Sequence, residues 1–214
     1  TGRRLAQLVR VGDLASFDQP PIDLSGEAIA GHSLDNRASV AALTLGLQEL
    51  SARRHAWDVY AVATTQEEVT LGGGFTSAFE IHPQLAVAMD VTHAKGPGAT
   101  TDYGTFNLGK GVALGWGPNV HPGLFKAIKE IAEDREIPFE IDPMPVHSGT
   151  DAYAMQVVAE GIPSMVLSIP LRYMHTPVEE VSMKDIQRAG RLLADFITWL
   201  PSDFLSTLSY EKSL

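Results

Sequence analysis

Three short apolar runs, at residues 59–63, 85–89 and 165–169, most constrain what this chain can fold into. Each is too short for a stable helix and ends in polar or ionisable residues. The first runs into Thr64-Thr65-Gln66-Glu67-Glu68, the second into Asp90, and the third through Pro170 to Tyr173-Met174-His175. Such runs read as strands buried on both faces with a polar carboxyl end. Between them the apolar residues recur every three or four positions. A helix is expected from Asp35 to about Arg54, with Val40, Leu43, Leu47 and Leu50 on one face. Others are expected over 71–79, opened by three glycines, over 121–135, and over 150–160, which Gly161 and Pro163 stop. A last helix has Ile186, Leu193, Phe196 and Ile197 on its face, with Ser182 and Asp185 as a capping pair. Residues 101–114 are expected to be strand plus loop.

Strands alternating with helices predict an α/β fold, with a doubly wound, mostly parallel sheet flanked by helices. In such sheets ligands bind in the crevice at the carboxyl ends of the strands. Here those ends carry Glu67, Glu68, Asp90 and His175.

Composition narrows the chemistry. The formal charge of −10 leaves no basic face for a phosphate backbone, so no nucleic-acid partner is expected. With no cysteine, thiolate catalysis and Cys-held zinc are excluded, and a metal would need His, Asp or Glu. No run of eighteen apolar residues is available to cross a membrane. A cytoplasmic location is expected. The chain opens on Thr1-Gly2-Arg3-Arg4 in mid-pattern and is expected to be N-terminally incomplete.

Each candidate residue has an ordinary alternative. Glu67-Glu68 alone reads as a solvated acidic turn, Asp90 as a cap, Asp35 as a helix N-cap and His175 as a hydrogen-bonded structural histidine. Together they form an oxygen-rich set with one imidazole, placed where an α/β sheet presents ligands.

Five blocks then occur in order: Leu34-Asp35-Asn36-Arg37; Thr65-Gln66-Glu67-Glu68-Val69; Met89-Asp90-Val91-Thr92-His93-Ala94; Gly149-Thr150-Asp151-Ala152; and Pro170-Leu171-Arg172-Tyr173-Met174-His175-Thr176-Pro177-Val178-Glu179. The series resembles the glutamyl/tetrahedral aminopeptidase family of co-catalytic metallopeptidases, some of whose members carry an endoglucanase label. The resemblance implies a zinc-peptidase-like catalytic domain and two divalent metal ions, zinc, cobalt or manganese. Asp35 would bridge the two metals, Glu68 and His175 would complete one site, and Asp90 would serve the other. Glu67 would be the general base for a water activated by both metals. Thr150, Asp151 and Arg172 would line the substrate pocket, and His93 would support the ligands from behind. His32 and His147 read as solvent or loop histidines.

The resemblance also implies peptide substrates and a homo-oligomer, commonly a tetrahedral dodecamer. It divides the chain into 1–30, the end of a β-rich dimerisation domain; 31–200, the catalytic domain; and 201–214, a polar C-terminal tail. Family members carry a further histidine ligand upstream, which no segment here matches. Two rival readings follow: an inactive or assembly-only fragment with an incomplete metal site, and an endoglucanase-type glycoside hydrolase using two carboxylates. Against the second, three tryptophans give little surface for sugar stacking.

Overall fold

A computed structural model describes residue 5, residues 8–97 and residues 106–208. Among these, the strands are β1 (Ile22–Leu24), β2 (Ala28–Gly31), β3 (Ala86–His93), β4 (Val112–Trp116), β5 (Phe139–Pro143), β6 (Ser164–Arg172) and β7 (Glu179–Ser182). The helices are α1 (Leu34–Leu50), α2 (Glu67–Thr70), α3 (Gly72–Ile81), α4 (Pro122–Asp134), α5 (Asp151–Gln156) and α6 (Met183–Trp199), followed by a 3-10 turn at Phe204–Thr207. Of the stretch expected to be strand plus loop, residues 101–105 lie outside the described residues, as do 1–4, 6 and 7 of the expected 1–30 unit.

The seven strands form one sheet, ordered β1-β2-β7-β6-β4-β5, with β3 along the opposite edge of β6. Strand β6 is the centre. Met165, Val166, Leu167, Ile169 and Leu171 are almost wholly buried because both faces are covered, which is why this stretch reads as an unbroken apolar run. Beside it β3 runs parallel from Ala86↔Ser164 to His93↔Leu171. The pleat sends alternate β3 side chains to opposite layers. Ala86 packs with Ala78 of α3 and with Val158 and Ile162, whereas Val87 faces Leu43 of α1 and Leu193 of α6. Helices therefore flank the sheet on both sides, as the alternation of elements predicts.

The sheet is mixed in detail. Pairs β3–β6 and β4–β5 are parallel, and the other four pairings are antiparallel. The link from β6 to β7 is too short for a crossover, so the chain must turn straight back. Strand β2 pairs with β7, joining residues 22–31 to the same sheet as the rest of the chain.

Four local expectations need correction. Residues 59–63 form no strand and are exposed, because no described segment pairs with them. Helix α1 buries only part of its expected face: Leu50 is buried and Leu43 packs against the core, but Val40 and Leu47 are exposed, and the other buried positions are Leu34, Ala38, Ser39, Ala42 and Gly46. That face is small because α6 crosses close by. A Cβ on Gly46 would stand 2.9 Å from the Gly190 carbonyl oxygen. Ser182 makes no side-chain cap at the start of α6. Asp185, fully buried, instead accepts from the amides of Gly109 (2.6 Å) and Gly111 (3.0 Å) and pairs with Arg188. Finally, the expected polar tail is not wholly polar among its described residues, since Phe204 is buried against Phe196 and Trp199, while residues 209–214 lie outside the described residues.

Candidate metal centre

The site assembles from three turns and one strand at one end of the sheet. Asp35 stands at the start of α1 but outside helical geometry, at φ −80° and ψ 102°, so its side chain leaves the helix axis. Glu67 and Glu68 open α2, a single turn bounded by left-handed residues Gln66 (φ 60°) and Leu71 (φ 55°). Asp90 lies in the carboxyl half of β3, and His175 sits in the β6–β7 connection at φ 60°. These backbone positions are set by sheet and turns, while the side chains converge.

His175 Nε2 lies 3.1 Å from Asp35 Oδ2 and 3.5 Å from Glu68 Oε2. One donor atom from each of the three falls within 4.8 Å of the other two. An imidazole nitrogen and two carboxylate oxygens this close form a donor set suited to a divalent ion of the zinc, cobalt or manganese type. Asp90 is outside that trio. Its Oδ1 is already taken by the Asn36 side-chain amide (2.9 Å) and the Val91 amide (2.8 Å), leaving Oδ2 as its open donor. Asn36 also donates to the Met89 carbonyl at 3.2 Å, which ties the Asp35 turn to the end of β3.

One cavity of about 760 Å³ brings together Asp35, Glu67, Glu68, Asp90, His93, Thr150 and His175. Asp151 and Arg172 do not line it. Asp151 Oδ2 accepts from Thr64 Oγ1 at 2.6 Å, bracing the segment ahead of Glu67, while its Oδ1 is buried without a partner. Arg172 donates to the Lys95 carbonyl and to Glu180 at 3.1 Å. Thr150 caps α5, accepting from the Ala152 amide at 3.3 Å, and hydrogen-bonds Ser148 Oγ at 2.9 Å.

Three participants are absent from the sequence-derived set. Asp142, at the end of β5, is buried beside Thr92 and His93 and lines the cavity. Its signal was the one used for Asp90, an acid at the end of a strand, but 139–143 has no apolar run to announce it. His147, read as a loop histidine, also lines the cavity, with its ring 5.5 Å from that of Tyr153. Glu179, quoted in the fifth block without a role, accepts from the amides of Asp35 (2.9 Å) and His175 (3.1 Å).

Burial and mutual repulsion hold protons on these acids. Burial, then Glu68 and Glu179, raises Asp35 to about 6. Burial, then Glu68, Asp151 and Asp35, raises Glu67 to about 7. Burial dominates at Asp90 and takes it to about 8 against the Val91 amide, which favours the anion. A bound cation would relieve all three, so the donor set and its electrostatics fit a metal.

The sign of the pH effect follows. A carboxyl whose folded pKa is above its unfolded value binds extra protons in the native state between the two values. Stability of the metal-free chain therefore falls as pH rises from about 4, the unfolded carboxyl range, to about 8. Thermal melts in chelator should give a lower Tm at pH 8 than at pH 5, with Zn²⁺ raising Tm more at pH 8. A flat or rising chelator profile would contradict this electrostatic picture.

The family profile described as M42 glutamyl aminopeptidase matches residues 3–192. A lysyl aminopeptidase of Pyrococcus furiosus is 38% identical over 198 residues, covering 91% of this chain and 56% of that protein. Aminopeptidase APDkam598 from the archaeon Desulfurococcus kamchatkensis superposes with a TM-score of 0.85 at 34% identity, over 97% of this chain and 59% of its own. A Pyrococcus horikoshii TET1 peptidase, which assembles into a tetrahedron or a large octahedral shell, gives a TM-score of 0.78 at 28% identity, over 92% and 58%. The chain spans about half the length of the curated relatives it matches. On the profile match and this identity, the chain belongs to the M42 glutamyl aminopeptidase family.

Proposed function

We propose that the protein is a metal-dependent aminopeptidase that hydrolyses N-terminal residues from peptides. The observation that carries this reading is the trio Asp35, Glu68 and His175 at the mouth of a cavity that also holds Glu67 and Asp90, in a chain of this family. Asp35, Glu68 and His175 would hold one divalent ion, and Asp35 with Asp90 would face a second. Bound there, the ions would supply Lewis acidity, polarising the scissile carbonyl and acidifying a water.

The chain's own residues do the rest. Glu67, raised to about 7, is a carboxylate poised to take the proton of the attacking water and return it to the departing amine. Asn36 and the Val91 amide hold Asp90 through Oδ1, which leaves its other oxygen for the site. The remaining cavity wall, including Val69, Met144, Val146 and Tyr153, gives a peptide side chain an apolar surface. The assembly named for the P. horikoshii relative supports a homo-oligomer here as well. Among the described residues no helix is long and apolar enough to cross a membrane.

Hydrolysis of aminoacyl chromogenic substrates should be abolished by chelator and restored by Zn²⁺, Co²⁺ or Mn²⁺. Asp35→Ala should lose bound metal, read by elemental analysis. Hydrolysis that survives chelation would sink the metal mechanism. Metal uptake without hydrolysis of any aminoacyl substrate would reduce the protein to a metal-binding fold.

A further inference from the structure

Glu179 has a carboxylate that neither the ligand set nor the proposed acid–base chemistry uses. It is 2% exposed at the first position of β7, opposite Gly31 of β2. Among the described residues no lysine or arginine pairs with it. A buried carboxylate without a cationic partner is costly. What it touches instead are two backbone amides 140 positions apart: Oε2 accepts from Asp35 at 2.9 Å and Oε1 from His175 at 3.1 Å. Both amides belong to residues of the donor trio.

Those two turns need holding. Ser33 (φ 56°), Tyr173 (φ 59°) and His175 (φ 60°) are non-glycine residues in the left-handed region. Each such residue is strained and persists only where its surroundings impose it. One rigid carboxylate accepting from both turns fixes the Asp35 and His175 backbones relative to each other. Glu179 also places its carboxylate directly behind the Asp35 backbone. A divalent cation would answer that charge.

We propose that Glu179 is a positioning residue of the metal centre, clamping the Asp35 and His175 turns through its two oxygens and adding the charge that draws a cation to them. This rests on the metal-centre reading above. It differs from a staple that merely secures β7, because a staple acts on folding and a clamp acts on metal affinity.

Glu179→Gln separates the two. The amide keeps shape and one acceptor but loses the charge, and turns an NH₂ group toward one of the amides. In chelator, hydrogen exchange read by mass spectrometry should rise in peptides covering 33–37 and 173–177, with Tm little changed. Zn²⁺ affinity, measured by competition with a chromogenic chelator, should fall about 10–100-fold, the range typical of groups that orient metal ligands. The visible absorption bands of the Co²⁺-loaded protein should shift as well. A folded Glu179→Gln protein with wild-type Zn²⁺ affinity and an unaltered Co²⁺ spectrum would overturn the proposal. Should Glu179→Gln not fold, Glu179→Asp keeps the charge but is one carbon too short to reach both amides. It too should bind Zn²⁺ more weakly, and wild-type affinity in that protein would equally overturn the clamp. A wild-type chain that takes up no Zn²⁺ would instead remove the metal-centre reading itself, and the clamp with it.

Discussion

Glu67→Gln lowers kcat for aminoacyl substrates by about 10²–10⁴-fold while metal content stays at the wild-type level. The two halves of that result come from one local geometry. Glu67 and Glu68 are neighbours in the first turn of α2, so their side chains leave the helix about a quarter-turn apart. Glu68 reaches His175 and Asp35, whereas Glu67 is outside the donor trio yet lines the same cavity. Its burial and its acidic neighbours keep its pKa near 7, so it can both accept and release a proton at neutral pH. Glutamine preserves size and hydrogen bonding but cannot take the proton. The measurements are steady-state kcat beside metal-to-protein ratio. A variant that keeps kcat, or that loses metal along with kcat, would remove Glu67 from the role of base. Binding cations should lower the Glu67 pKa below its metal-free value. The acid limb of kcat in the wild type is therefore expected below pH 7, and it should be absent from whatever activity Glu67→Gln retains.

The position of this site was readable before its geometry. The apolar runs at 85–89 and 165–169 could only be buried strands, and acids at strand ends mark the crevice of an α/β sheet. What periodicity could not convey was which face of α1 is inside. Leu43 and Leu50 do face the core, yet Val40 and Leu47 are exposed and Ala38, Ala42 and Gly46 are buried in their stead, because a close helix crossing selects small residues over hydrophobic ones. The same limit applies to residues 59–63, whose composition suits a strand but whose ladder partner is not among the described residues. Groups that act through tertiary contacts left almost no local trace. Asp142 follows no apolar run. The Asp185 carboxylate looked like a cap and instead anchors the 109–111 loop. Glu179 sits in a motif whose spacing says nothing of the two amides it receives. Local pattern locates strands, ends and charges, and only the folded chain reveals which polar groups hold which turns.

The helix crossing supports the largest stability effect. Gly190→Ala should lower stability by about 1–3 kcal/mol, the usual cost of overpacking a close contact. For a domain of this size that lowers Tm by roughly 2–4 °C per kcal/mol. Helix propensity argues the other way, since alanine in the interior of α6 is favoured over glycine by about 1 kcal/mol. The contact decides the sign. A Cβ on Gly190 would stand 2.4 Å from the Ala42 carbonyl oxygen and 3.1 Å from the Gly46 amide nitrogen, both backbone atoms that no rotamer change can move aside. Relief therefore requires α1 and α6 to separate. Because Asp35 stands at the N-terminal end of α1, that separation displaces the proposed bridging carboxylate, and Zn²⁺ affinity should fall together with Tm. Gly46→Ala, whose Cβ would stand 2.9 Å from the Gly190 oxygen, should act the same way but more mildly. Calorimetric Tm and Zn²⁺ affinity measured on the same samples test the coupling. A Gly190→Ala protein as stable as the wild type would mean that propensity outweighs the contact. Lowered Tm with unchanged Zn²⁺ affinity would mean that the Asp35 turn is held by Asn36 and Glu179 independently of the helix behind it.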